Sequence, residues 1–358
     1  MARNLKNFNF YYLYFYYSKL TKKQKYKIIE KDNLYKKIYK LKFDILYDKN
    51  NDNKIMFIFR YLRFFNYAKK TIINIVKENQ ISLIINNQTE IPIPKSLLNK
   101  NVNVLHTDIK KYLNDFTSST LLGTLFKKLF FTFTKESNLV CFTELDKKII
   151  KNNKNKIKCI FPINYGFIEA NKINYQILDK LDLRTQITYI GKLENNQKNI
   201  DKLLEIDKML KNELGINIQF YGDGAYLDKS KLNFKGSVKN EQIPKILKKT
   251  KLLVLYSNWE GFPLSIVEAL SHGVPCVILN SFTNAKFLIN NERGSLVESN
   301  ELKKFVDEII KIYNLPIKKY KKMCKNCLDF TKENLTKNNF LGKWEQLING
   351  YINDKNKK

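Results

Sequence analysis

What most narrows the fold of this chain is the alternation, through its second half, of short apolar runs with stretches of helical period. Candidate strands fall at 187–191, 216–221, 252–256 and 274–279, with a shorter one near 233–236. Between them, 199–214 repeats Ile200, Leu203, Leu204, Ile206, Met209 and Leu210 at helical spacing and ends on Gly215, a helix stop. Further helices fit 241–248, a segment starting near Pro263, and 301–313. Strands separated by helices of this length predict a parallel sheet with right-handed crossovers, a Rossmann-like domain. The first half repeats the theme more faintly. Its candidate strands are 54–59, 81–85, 102–105, 139–142 and 157–161, and its candidate helices 67–78 and 144–151. An aromatic run from Phe8 to Tyr17 reads as a buried strand, with an interfacial anchor as the alternative. The fold class is therefore α/β.

At 358 residues the chain exceeds the usual size of one hydrophobic core, so two domains are expected. No apolar run approaches the roughly 18 residues of a spanning helix, and no secretory cleavage site follows the aromatic run. The net charge of +30 is uneven: residues 1–160 hold 32 Lys and Arg against 12 Asp and Glu, and the remainder 32 against 22. An anionic partner or membrane surface would thus face the first half, although a composition rich in Lys, Asn, Ile, Tyr and Phe is also what an AT-rich genome produces. No nucleic-acid motif accompanies the charge. Five cysteines without a leader indicate a reducing compartment. Cys324 and Cys327 have the spacing of a metal pair, but only His106 and His272 could complete a zinc site, so reduced structural thiols are expected and no metal.

Chemistry concentrates in the run from Asn258 to Leu270, where Glu260 and Glu268 bracket Gly261-Phe262-Pro263. The preceding strand delivers Glu260 to the carboxyl edge of the sheet, where open parallel sheets bind ligands. Pro263 suits the first helical position. The N–H groups of Leu264 and Ser265 then form an anion seat at the positive end of the helix dipole. Gly261 permits close approach of a ligand to the backbone. Glu268, one turn further, leans back toward that helix mouth. Carboxylates beside an anion seat suit a ligand with hydroxyls next to its phosphates, as in a nucleotide sugar. Across the site, Lys192 and Lys198 follow the strand that ends at Ile190 and could bracket a diphosphate.

Six blocks now stand in order: Gly191-Lys192-Leu193, Lys198-Asn199, Gly222-Asp223-Gly224, Phe234-Lys235-Gly236-Ser237-Val238, Glu260 to Glu268, and Ala269 to Pro275. Together they resemble the retaining nucleotide-sugar glycosyltransferases of family 4, among the glycosyl transferases group 1, which have the GT-B fold of two Rossmann-like domains facing across a cleft. The resemblance implies an acceptor-side domain at 1–165 with a divergent 1–53, a nucleotide-sugar domain at 166–335, and a C-terminal helix at 336–358 crossing back. It also implies roles. Glu268 would bind the ribose hydroxyls and Glu260 the donor sugar. Lys192, Lys198 and the backbone of Phe262, Pro263 and Leu264 would hold the diphosphate. Gly222 and Gly224 would keep a backbone path open near the nucleotide, and Val238 would contact the base. Lys192 stands where the family commonly has Arg, which replaces a bidentate phosphate grip by a point charge.

In the first half, Val102 to Thr107 resembles the family's strand ending in a His that faces the donor sugar, making His106 a further candidate. His272 reads instead as a helix-end residue. No glycine precedes Gly123, whereas the family has a glycine-rich loop after its first strand. No Asp-x-Asp triplet occurs anywhere, so metal-clamp chemistry is not expected. The expectation is a retaining, metal-independent transfer of a hexose from a UDP-sugar to a cell-envelope, polysaccharide or lipid-linked acceptor. It would take place in the cytoplasm, with peripheral contact at the inner face of an anionic membrane. A catalytically weak GT-B partner subunit is the competing expectation.

Overall fold

A computed structural model describes residues 9, 11–16, 37–42, 54–87, 93–111, 138–152, 159–163, 166–224, 226 and 232–356. The first half contains β1 (Tyr11–Tyr16), β2 (Lys37–Lys42), α1 (Lys54–Glu78), β3 (Ile84–Asn86), β4 (Asn101–Val104), β5 (Asn138–Cys141), α2 (Glu144–Asn152) and β6 (Cys159–Pro162). The second contains β7 (Gln186–Ile190), α3 (Asn195–Lys198), α4 (Ile200–Leu214), β8 (Ile218–Tyr221), α5 (Ile243–Lys249), β9 (Thr250–Leu255) and α6 (Leu264–Ser271). It continues with β10 (Cys276–Leu279), α7 (Ala285–Leu288), β11 (Gly294–Val297), α8 (Leu302–Tyr313), α9 (Ile317–Asn334) and α10 (Lys337–Asn356).

Five strands make the larger sheet in the order β11-β10-β9-β7-β8, with every neighbouring pair parallel. β3 to β6 form a second sheet in sequence order, and β1 and β2 pair parallel by themselves. The central strand β9 lies between β7 and β10, and Leu252, Leu253 and Val254 are fully buried, as expected for a sheet covered on both faces. α4 ends as its sequence predicts: Gly215 takes φ +68° and its N–H reaches the Lys211 carbonyl at 3.0 Å.

The chain divides into two compact units. One comprises Met1–Val104, Thr132–Asn138 and Leu341–Lys358, and the other Leu105–Phe131 and Leu139–Phe340. In the first, α10 places the Tyr351 hydroxyl against the Asn138 side chain and 3.4 Å from the Asn101 carbonyl. In the second, Arg184 is buried and donates to the Gly273 and His272 carbonyls, each at 2.6 Å. Its charge thereby stands at the negative end of α6.

Three expectations change. Residues 54–59 are not a strand but the start of the 25-residue helix α1. The apolar run there continues at helical spacing through Leu62, Phe65, Ala68, Ile72 and Ile75, so the period over the whole segment outweighs the five apolar residues in a row at 55–59. Near 233–236 only one bridge forms, Phe234 to Phe220, because Gly236 leaves extended geometry at φ +97°. Pro263 is the cap residue preceding α6, with φ −69° and ψ 110°, and not the first helical residue. The segment Cys324 to Cys327 is helical, as expected, and both are buried free thiols. Burial pushes the Cys324 thiol up to about 11. Among the described residues no group of three His, Cys, Asp or Glu could hold a metal ion.

Candidate functional site

The site is built from loops at the carboxyl ends of β7, β8 and β9, all in the second unit. Beyond Ile190 the chain turns through Gly191-Lys192-Leu193. Gly191 N–H donates to the Tyr221 carbonyl at 3.0 Å and Leu193 N–H to the Asp223 carbonyl at 2.8 Å. This contact explains Gly222 and Gly224. A Cβ on Gly222 would stand 1.8 Å from the Gly191 oxygen, and one on Gly224 2.1 Å from the Leu193 oxygen. The path these glycines leave open is occupied by the lysine-bearing turn itself. The Tyr189 hydroxyl donates to the Lys192 carbonyl at 2.8 Å, while the Lys192 side chain is 64% exposed with its ammonium 4.0 Å from Glu194.

Lys198 differs. Asn199 adopts a left-handed conformation, φ +55°, which separates α3 from α4 and leaves Lys198 in the last turn of α3. Its side chain is 15% exposed, and its ammonium lies 2.5 Å from Glu260 Oε1. Glu260 is buried and also accepts from the Ser257 hydroxyl at 2.6 Å and from Gln197 Nε2 at 3.3 Å. Gln197 donates as well to the Trp259 carbonyl at 3.0 Å, and Asn258 N–H donates to the Gln197 carbonyl at 2.7 Å. The β7 and β9 loops are thus stitched together before any ligand arrives. A buried carboxylate that accepts from an ammonium and two neutral donors is fixed in orientation.

After Glu260 the chain passes Gly261, where a Cβ would meet the His106 carbonyl oxygen at 2.7 Å and the Thr107 Cα at 3.2 Å. Protein backbone thus makes a close approach that requires glycine here. Phe262 is buried, with ring centroids 5.4 Å from Phe142 and 6.3 Å from Phe287, so its side chain anchors the loop and only its main chain is placed for recognition. Pro263 O accepts from Ile266 and Val267 N–H at 3.2 and 3.4 Å, and among the described residues the N–H groups of Leu264 and Ser265 have no acceptor. They form the expected open helix end.

Glu268 is half-buried, and among the described residues its carboxylate meets no donor or cation. Desolvation pushes its pKa up to about 7. Burial holds the His106 imidazole below the usual histidine range. His272 caps α6, its Nδ1 2.9 Å from the Glu268 carbonyl, as its helix-end reading expects. Val238 packs partly buried against the core.

The structure therefore brings Lys198 onto Glu260, the His106 main chain onto Gly261, and the Lys192 turn onto Gly222 and Gly224. No hydrogen bond among the described residues joins Lys192, Glu268 or Val238 side chains to that cluster. Sequence reasoning missed Ser257 and Gln197, which sit three residues before Glu260 and one before Lys198. That adjacency was the available signal. It also missed Asn284, whose amide donates to the Gly261 carbonyl at 3.0 Å, and nothing in the local sequence points there.

Residues 173–328, which contain this cluster except His106, match the family model described as glycosyl transferases group 1. That segment resembles a group 1 glycosyltransferase domain. An uncharacterized glycosyltransferase of Haemophilus influenzae is 28% identical over 266 residues, 71% of this chain and 72% of the relative. An Escherichia coli UDP-Gal:alpha-D-GlcNAc-diphosphoundecaprenol alpha-1,3-galactosyltransferase is 33% identical over 116 residues. That match covers 30% of this chain and 30% of the relative's length. Among solved structures, Anabaena HepE in complex with UDP-glucose superposes with a TM-score of 0.61 at 13% identity, over 90% of this chain and 88% of that one. The matched segment thus lies within a chain of GT-B fold.

Proposed function

We propose that this protein is a glycosyltransferase that moves a hexose from a UDP-sugar to a cell-envelope or other glycan acceptor, lipid-linked acceptors included. The observation that carries this reading is the Lys198–Glu260 pair, with its two neutral donors, on the strand-end loop that leads into the open helix end of Leu264 and Ser265. A diphosphate seated on those N–H groups would come within the field of Lys198 and Lys192. Both would oppose the charge that grows on the leaving nucleotide. Glu260, held in place by these donors, would accept from sugar hydroxyls, and Glu268 from the ribose. His106 would face the sugar from the neighbouring loop as a neutral imidazole. Retention of configuration and independence of metal belong to the proposal through the family resemblance and the lack of an Asp-x-Asp triplet.

The E. coli relative's name specifies a UDP-sugar and a diphosphoundecaprenol-linked acceptor, and the Anabaena structure was solved with UDP-glucose. Both support the choice of donor nucleotide. Peripheral attachment at the cytoplasmic face of an anionic membrane is part of the same proposal, motivated by the basic first half. Among the described residues no helix is long and apolar enough to cross a membrane. The test is thermal-shift titration with UDP-, GDP- and ADP-sugars, followed by release of UDP from the preferred donor by the purified chain. A UDP-sugar should raise the midpoint by mass action. No shift with any nucleotide at millimolar concentration, or unchanged UDP binding in Lys198→Ala, would sink the reading.

A further inference from the structure

Asn284 immediately precedes α7, in the cap position where asparagine normally turns its side-chain oxygen back onto the first turn of its own helix. Here no such bond forms. The side chain, fully buried, spans outward: its Oδ1 accepts from the Thr143 hydroxyl at 2.7 Å, and its Nδ2 donates to the Gly261 carbonyl at 3.0 Å. Thr143 is held in turn by a buried capping box at the start of α2. Its N–H donates to Asp146 Oδ2 at 2.8 Å, and the Asp146 N–H donates to its Oγ1 at 3.3 Å. The adjacent Thr283 N–H is tied to Asp108 Oδ2 at 2.6 Å, two residues beyond His106. The 283–284 corner is thus pinned from two loops and passes its position to one carbonyl, that of Gly261.

That carbonyl shares a planar trans peptide with the Phe262 N–H, so the two point in opposite directions. Holding the oxygen on Asn284 turns the N–H away from the buried amide and sets the path into Pro263 and the α6 N-terminus. We infer that Asn284, oriented by Thr143, is a positioning residue for the diphosphate seat at Phe262 to Ser265. This rests on the nucleotide-sugar reading of that seat.

The test compares Asn284→Ala, Thr143→Val and Thr143→Ser with the parent by calorimetric titration of UDP, with Tm recorded for each. Thr143→Val keeps the side chain's shape and removes the hydroxyl, and Thr143→Ser keeps the hydroxyl. Loss of one buried hydrogen bond's orientation predicts UDP binding weaker by roughly tenfold in Asn284→Ala and Thr143→Val. Thr143→Ser should return to within about twofold of the parent. Should Asn284→Ala not fold, the two Thr143 variants decide. Parent-like UDP affinity in Thr143→Val overturns the role of this network while leaving the nucleotide site intact, as does a loss in Thr143→Ser equal to that in Thr143→Val. Absence of UDP binding by the parent removes the underlying site, and the positioning role with it.

Discussion

Glu268→Gln should make this protein more stable and worse at binding UDP, and the stability gain should depend on pH. Desolvation raises the Glu268 carboxyl from 4.5 to about 7, and no partner among the described residues offsets it. A carboxyl whose folded pKa lies above its unfolded value binds extra protons in the folded state between the two, so stability falls as pH rises through that window and levels off above it. The shift corresponds to about 3.4 kcal/mol at full burial. Because water reaches part of this side chain, about 1–2 kcal/mol is the expected remainder. Glutamine, nearly isosteric and never ionised, removes that cost. At pH 8, Tm should rise by about 2–6 °C, and at pH 5 by about half of that, measured by scanning calorimetry in matched buffers. UDP affinity at pH 8 should fall about tenfold, the difference between a charged and a neutral acceptor for the ribose hydroxyls. A lower Tm for the variant at pH 8 would refute the reasoning, because it would mean that the carboxylate has a stabilising partner. A higher Tm with unchanged UDP affinity would keep the electrostatics and reject the ribose role.

Other perturbations follow from the same geometry. Gly261→Ala places a methyl 2.7 Å from the His106 carbonyl oxygen, a backbone atom with no rotamer to change, and should cost about 1–3 kcal/mol in denaturant unfolding. An unshifted midpoint would argue against that approach. In a double-mutant cycle of Lys198→Met and Glu260→Gln, each single change strands a partly buried partner, so the double variant should be less destabilised than the sum of the singles, with coupling above about 1 kcal/mol. Additive effects would dissolve the pair. Lys192→Ala should leave stability within about 0.5 kcal/mol, given its 64% exposure, and lower donor turnover; equal turnover would remove Lys192 from the site. Arg184→Met should lower stability by about 3 kcal/mol or more, since two charge-assisted bonds to the end of α6 disappear, and a parent-like Tm would contradict that anchoring.

How far the sequence could be read depended on the distance over which each feature is specified. The strand–helix order from β7 to α8 was legible because each element carries its own period and its own stop, Gly215 being the clearest. The pairing of Lys198 with Glu260 was legible only as two halves of a motif. What joins them, Gln197 and Ser257, lies next to the motif residues but has no periodicity to announce it. α1 was misread at its start because five apolar residues in a row fit a buried strand as well as a helix, and only the longer window separates the two. The glycines have a backbone neighbour that local sequence does not reveal. Gly222, Gly224 and Gly261 are short of space because backbone from another loop fills it, and that loop lies 31 residues upstream in the case of Gly222 and 155 in the case of Gly261. Such a contact depends on which strand ends the sheet order brings side by side, which a single sequence does not encode locally. Asn284 is the extreme instance. Its local sequence predicts an ordinary helix cap, and its actual partners lie 141 and 23 residues away. A polar residue that forgoes its local bond when fully buried must be satisfied elsewhere, and here the partner it finds is the one carbonyl that aims the anion seat.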